Sequence, residues 1–143
     1  MRRILVATDG SAGGDRAVDA AAAIVVQCDG ELLIASVEQG YLHEGLESVR
    51  RDENASVDDY LNAACREILK QAEVRARAKG VSRIRTFSGL GDAVAFIIEI
   101  AERENADTVV VGKRGKGRLP GLLLGSVSQK LVSLAGCNVL VVP

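Results

Sequence analysis

Apolar and polar positions alternate along the chain in short blocks. Ile4 to Ala7 is an apolar run that breaks at Thr8, Asp9 and Gly10, as a buried strand followed by a tight loop would. Ala17, Ala21, Ile24 and Cys28 then fall on one helical face, and Asp29 and Gly30 supply a stop. Leu32 to Val37 predicts a second buried strand. From Glu38 to about Ala55 the chain is polar and without clear periodicity, longer than most connections in compact domains. Ser56 with Asp59 resembles a capping box, and Leu61, Ala64, Cys65, Ile68 and Ala72 form an apolar helical stripe that lasts until Gly80.

The second half repeats the alternation. Arg83 to Ser88 predicts a strand, and Gly89 to Asp92 a loop whose Asp92 caps a helix with Val94, Ile97, Ile98 and Ala101 on its buried face. Thr108 to Val111 predicts a strand, Gly112 to Leu124 a long loop, Ser126 to Ala135 a helix closed by Gly136, and Val139 to Val142 a last strand. Strands that read as continuous Val, Ile and Leu runs between helices are covered on both faces by crossover helices. The expected fold is therefore α/β, a doubly wound five-stranded parallel sheet in a single domain spanning 1–143.

In such sheets ligands settle beyond the carboxyl ends of the strands, where the winding reverses. Two loops carry suitable residues there: Ala7 to Ser11 after the first strand and GKRGKGRLPGLLLGS, Gly112 to Ser126, after the fourth. Glycines at 112, 115 and 117 allow close approach of the backbone to a ligand. Gly125 and Ser126 begin a helix, where unpaired N–H groups and the helix dipole favour an anion. With Lys113, Arg114, Lys116 and Arg118 added, the stretch reads either as a polyphosphate cradle or as a solvated basic turn.

Other phosphate motifs fit less well. Gly112 and Gly117 have Walker A spacing, but Arg118 and Leu119 stand where Lys and Ser or Thr are required. DGSAGG lacks the GxGxxG spacing of a dinucleotide fingerprint, and Thr86, Phe87 and Ser88 stand where a receiver domain needs its aspartate.

Composition narrows the partners. A net charge of -1 gives no overall attraction to nucleic acid, and with 3% aromatic residues and no Trp there is almost nothing from which to build a base-stacking platform. No stretch approaches the ~20 apolar residues of a membrane span, and the apolar run after the first two arginines is too short for a signal-peptide core. Cys28, Cys65 and Cys137 are odd in number and form no CxxC pair, so they read as reduced, buried packing residues in a cytoplasmic protein. His43, the only histidine, lies in the polar stretch and is assigned no role.

The spacing Gly112, two residues, Gly115, nine residues, Gly125, Ser126 resembles the ATP-binding signature of the universal stress protein family. The flanks ADTVVVGKRGKG, LLLGSVSQKL and CNVLVVP, with ILVATDGS and LLIASVE, extend the resemblance over essentially the whole chain. It implies strand order 3-2-1-4-5 and ATP, with Mg, as ligand. Ala7, Thr8 and Asp9 would border adenine and ribose, with Asp9 also reaching the metal. Val37 would pack on adenine, Gly112 and Gly115 would wrap ribose and phosphates, and Gly125, Ser126 and Val127 would bind phosphate. Read without the family, Asp9 also fits a helix cap, and Val37 reads as a core residue. The resemblance also implies a homodimer formed through the edge strand Asn138 to Val142.

Three functions fit: an ATP-binding regulatory module with slow or no turnover, a weak ATPase or autophosphorylating enzyme using Ser126 or Ser128, and a nucleotide-free module for a protein partner. No group that would activate water near a terminal phosphate stands out, and there is no Ser/His/Asp set or HxGH pair.

Overall fold

A computed structural model describes residues 1–38, 57–115 and 124–143. The strands are β1 (Arg3–Ala7), β2 (Glu31–Glu38), β3 (Ile84–Leu90), β4 (Thr108–Gly112) and β5 (Asn138–Val142). The helices are α1 (Ala12–Cys28), α2 (Val57–Ala78), α3 (Ala93–Arg103) and α4 (Ser126–Leu134). All strand pairings are parallel and the sheet order is β3-β2-β1-β4-β5. The chain thus winds outward from β1 in both directions, and β1 and β4 are neighbours at the reversal, with Ala7 opposite Val111.

Side-chain alternation divides the core into two layers. Ile4, Val6, Leu32, Ile34 and Val110 face α1 and α2, while Leu5, Leu33, Ala35, Val109 and Val111 face α3 and α4. Helix α1 buries Ala17, Val18, Ala21, Ala22 and Val25. The stripe expected through Ile24 and Cys28 is rotated from this one, so Cys28 is exposed rather than buried. Cys65 is buried, its thiol donating weakly to the carbonyls of Ser36 and Gly89, and Cys137 is intermediate. Burial pushes both of these thiols above the ordinary cysteine range.

The helix boundaries show which local signals prevailed. Asp92 caps α3 as its sequence position predicts, accepting from the Ala95 N–H at 3.1 Å. Helix α1 is capped by Ser11, whose Oγ accepts from the Gly14 N–H at 3.1 Å. Asp9 is not the cap: its Oδ1 accepts from the Ser11 N–H at 3.0 Å and shapes the preceding turn. Helix α4 ends at Ala135 in extended backbone, so Gly136 is not needed as a left-handed stop. Strand β3 continues through Gly89 and Leu90, which the pattern placed in a loop, because both still pair with β2. Gly89 serves packing there: a Cβ on it would lie 2.7 Å from the Phe96 ring. Ser56 of the expected capping box, His43, Lys116, Gly117 and Arg118 lie outside the described residues.

Ion pairs tie together the amino ends of the strands. Glu31 takes Arg3 at 3.2 Å and also Arg85, which reaches on to Glu104 at 2.9 Å. The adjacent Arg85 guanidinium holds the Glu104 carboxyl below its usual range. The opposite end of the sheet, where β1 and β4 terminate side by side, is left concave.

Candidate functional site

A cavity of about 410 Å³ lies at the carboxyl ends of β1, β2 and β4, within the size range of small-ligand sites. Ala7, Thr8, Asp9, Val37, Gly112, Gly115, Gly125, Ser126 and Val127, the positions singled out in the sequence, all stand on its wall. Four segments far apart in the chain meet there because β1 lies between β2 and β4.

The end formed by β2 is apolar, closed by Ala35 and Val37 with Ala93 and Ile97 of α3, and Glu38 stands at its rim. The main chain of Val37 is directed into this end. In a strand the N–H and C=O of one residue point to the same side, and the side alternates along the chain. Glu31 donates to Arg2 and Ala35 accepts from Thr8, so odd-numbered residues of β2 face β1. Leu32 donates to Arg83 and Glu38 accepts from Gly91, so even-numbered residues face β3. The β1 ladder stops at the Ala7–Ala35 pair. The N–H and C=O of Val37 therefore point past the end of β1, toward the cavity that Val37 lines. They offer a donor and an acceptor side by side.

The floor is the β1 turn. Thr8 is buried; its N–H donates to Ala35 at 3.0 Å and its Oγ1 accepts from the Gly10 N–H at 3.2 Å. Gly10 has φ 80°, a left-handed conformation that a Cβ would strain.

The opposite end is built for an anion. Gly125 caps α4 in extended backbone with no side-chain hydrogen bond, and the first turn carries no acidic residue. The first-turn N–H groups of Ser126, Val127 and Ser128 thus have no capping side chain, and the helix dipole adds positive potential. Gly125 N–H and Ser128 Oγ both donate to the Lys113 carbonyl, at 2.8 and 3.0 Å, which fastens the helix start to the loop after β4. Lys113 and Arg114 also line the cavity. Among the described residues no group of three or more His, Cys, Asp or Glu could hold a metal. A metal ion here would depend on ligand oxygens together with a carboxylate such as Asp9.

Two glycines of the loop allow close approach, Gly115 to a side chain and Gly112 to backbone. A Cβ on Gly115 would collide with the Asp9 carboxylate, and one on Gly112 would lie 2.9 Å from the Gly13 carbonyl oxygen. Lining residues not anticipated from the pattern are Glu38, Gly14, Ala35, Ala93, Ile97 and Val111. Ala93 and Ile97 belong to an apolar helical face that carries no signal separating core from pocket. Gly13 and Gly14 did carry one, since each glycine in a helix costs about 1 kcal/mol relative to Ala.

An open α/β sheet with a crevice at its switch point defines the class of doubly wound α/β proteins that hold ligands at the carboxyl ends of their strands. The model of the Universal stress protein family matches residues 1–143, and the chain belongs to that family. It is 36% identical over 145 residues to universal stress protein Rv1636 of Mycobacterium tuberculosis, covering 99% of this chain and 95% of the relative. Universal stress protein YxiE of Bacillus subtilis is 32% identical, with 99% of each chain covered. Among solved structures, a universal stress protein in complex with cAMP superposes with a TM-score of 0.76 at 28% identity, covering 99% of this chain and 97% of that one.

Proposed function

We propose that the cavity binds an adenine nucleotide, with ATP and its Mg as the ligand, and that the protein is a regulatory module with slow or no ATP turnover. The observation that carries this is the pairing, across one cavity, of the outward Val37 peptide edge with the uncapped start of α4. The first suits the hydrogen-bonding edge of adenine. The second, with the basic residues Lys113 and Arg114, suits a chain of phosphates. Between them, Ala7, Thr8 and Asp9 border the base and ribose, Gly112 and Gly115 carry the loop around ribose and phosphates, and Gly125, Ser126 and Val127 present N–H groups to phosphate. Asp9 would supply a carboxylate to a metal held by the phosphates. The cAMP complex of a similar universal stress protein supports the choice of an adenine nucleotide and makes cAMP the natural competitor.

The surroundings of Ser128 support slow or no phosphoryl transfer to it. Ser128 is buried and its single hydroxyl proton is shared between the main-chain carbonyls of Lys113 and Gly125, so the hydroxyl is engaged rather than presented for phosphorylation. Equilibrium dialysis of micromolar protein against ATP, with and without Mg, should show saturable binding at one site per chain, with phosphate release far slower than exchange. Absence of binding in both conditions removes the reading and leaves a nucleotide-free interaction module.

The chain is further proposed to act in the cytoplasm as a single nucleotide-binding domain that pairs with a second copy through β5. Its free cysteines fit a reducing compartment, and no helix among the described residues is long and apolar enough to cross a membrane. Strand β5 is an edge strand with Leu140 exposed, close in sequence to Leu134, 62% exposed at the end of α4. An apolar edge of this kind invites pairing. Light scattering at tens of micromolar should give the mass of two chains, and the mass of one would refute the pairing.

A further inference from the structure

The first turn of α1 contains two adjacent glycines, Gly13 and Gly14, that the helix itself does not require. Neither has a positive φ, and glycine is a poor helix former. What the pair permits is contact. A Cβ on Gly13 would stand 2.5 Å from the main-chain oxygen of Arg114, and one on Gly112 would stand 2.9 Å from the oxygen of Gly13. These are backbone atoms, which cannot rotate aside as a side chain can. A Cβ on Gly14 would collide with Thr8 Oγ1 and approach Asp9 Oδ1 to 3.2 Å. The start of α1 therefore packs backbone to backbone against the loop after β4, with the β1 turn held alongside.

We infer that Gly13 is a positioning residue for the phosphate end of the cavity and Gly14 one for its floor. Gly13 seats the 112–115 loop by admitting the Arg114 carbonyl, and Gly14 leaves Thr8 and Asp9 their places on the floor. The inference rests on the nucleotide reading above for its ligand, but not for its geometry. Restoring an ordinary C···O separation of about 3.3 Å at residue 13 would move the loop outward by roughly 1 Å. That displacement acts most on the phosphates, less on the ribose that the loop also borders, and leaves the base end, formed by β2 and α3, where it is.

The test is Gly13→Ala against the unaltered protein, with ATP and adenosine as separate probes and tryptic cleavage after Lys113 and Arg114 followed without nucleotide. ATP affinity should fall about tenfold, adenosine affinity should change by less than about twofold, and cleavage should be faster. The unfolding midpoint should fall by a few degrees at most, the helix propensity gained by Ala offsetting part of the cost of shifting backbone. Equal losses for ATP and adenosine, no loss for either, or unchanged cleavage would overturn the inference. If the unaltered protein binds neither probe, the nucleotide reading fails and the cleavage rates still decide whether Gly13 seats the loop. Gly14→Ala provides a second variant. Its clash is with a hydroxyl that can rotate, on a floor that borders base and ribose, so ATP and adenosine should weaken together by about threefold, and a loss confined to ATP, or no loss for either, would count against the role given to it.

Discussion

Replacing Gly125 by aspartate should make the fold slightly more stable while removing most of the nucleotide affinity. Gly125 sits at the N-cap of α4 with φ -72° and ψ 169°, the extended conformation that capping aspartates adopt. A Cβ there would lie 3.4 Å from the Lys113 oxygen, an ordinary contact. The new carboxylate would accept from first-turn N–H groups that now have no side-chain partner, and its charge would complement the helix dipole, contributing about 0.5 kcal/mol. Those N–H groups are the ones proposed to hold phosphate, so the substitution occupies the anion site with a fixed anion and repels the ligand. Losing charge-assisted bonds worth roughly 1.5–3 kcal/mol each predicts ATP binding weaker by about 100-fold or more. Gly125→Ala, which adds the Cβ without the charge, should change affinity far less. Thermal unfolding and calorimetric titration of the two variants check this, and an aspartate variant that keeps its ATP affinity would show that phosphate does not sit at α4.

The second large effect concerns the base. The N–H and C=O of Val37 point past the end of β1 as a donor beside an acceptor. Adenine offers the complementary pair on its Watson–Crick edge, an acceptor at N1 and a donor at N6. Guanine reverses both, setting N–H against N–H and oxygen against oxygen. A site committed to hydrogen bonding rejects such a ligand strongly because buried polar groups are left unpaired, so GTP should bind about 1000-fold or more weakly than ATP. The recognition belongs to the main chain. Val37→Ala should therefore lower affinity through lost packing yet leave the preference for ATP over GTP intact. Competition against a fluorescent ATP analogue measures both, and equal displacement by the two nucleotides would exclude base recognition at Val37.

How far the site was legible can be followed residue by residue. The glycine spacing from 112 to 126 and the helix start at Ser126 were visible because both depend on neighbours in sequence. The cap of α3 was equally plain, as Asp92 stands alone before an apolar helical run. At α1, Thr8, Asp9 and Ser11 are all capable caps within four positions, and only the geometry gives the role to Ser11 and leaves Asp9 shaping the turn beside Gly115. Gly89 resembled a turn residue because glycine marks both turns and close packing, and the Phe96 ring that explains it is seven residues away. Cys28 is exposed against the expected stripe because α1 buries mostly alanine and valine, and a stripe of small residues gives a weak fix on which face is inward.

By itself the sequence determined the alternation of strands and helices, most of their ends, and the two loops able to carry a ligand, since these are encoded in contacts within a few residues. Tertiary structure alone decided that the Val37 peptide faces an open space, that Gly13 and Gly112 meet backbone to backbone, and that Ala93 and Ile97 line a pocket. Each of these depends on which strands and helices become neighbours, and that is settled by pairing and packing between segments tens of residues apart.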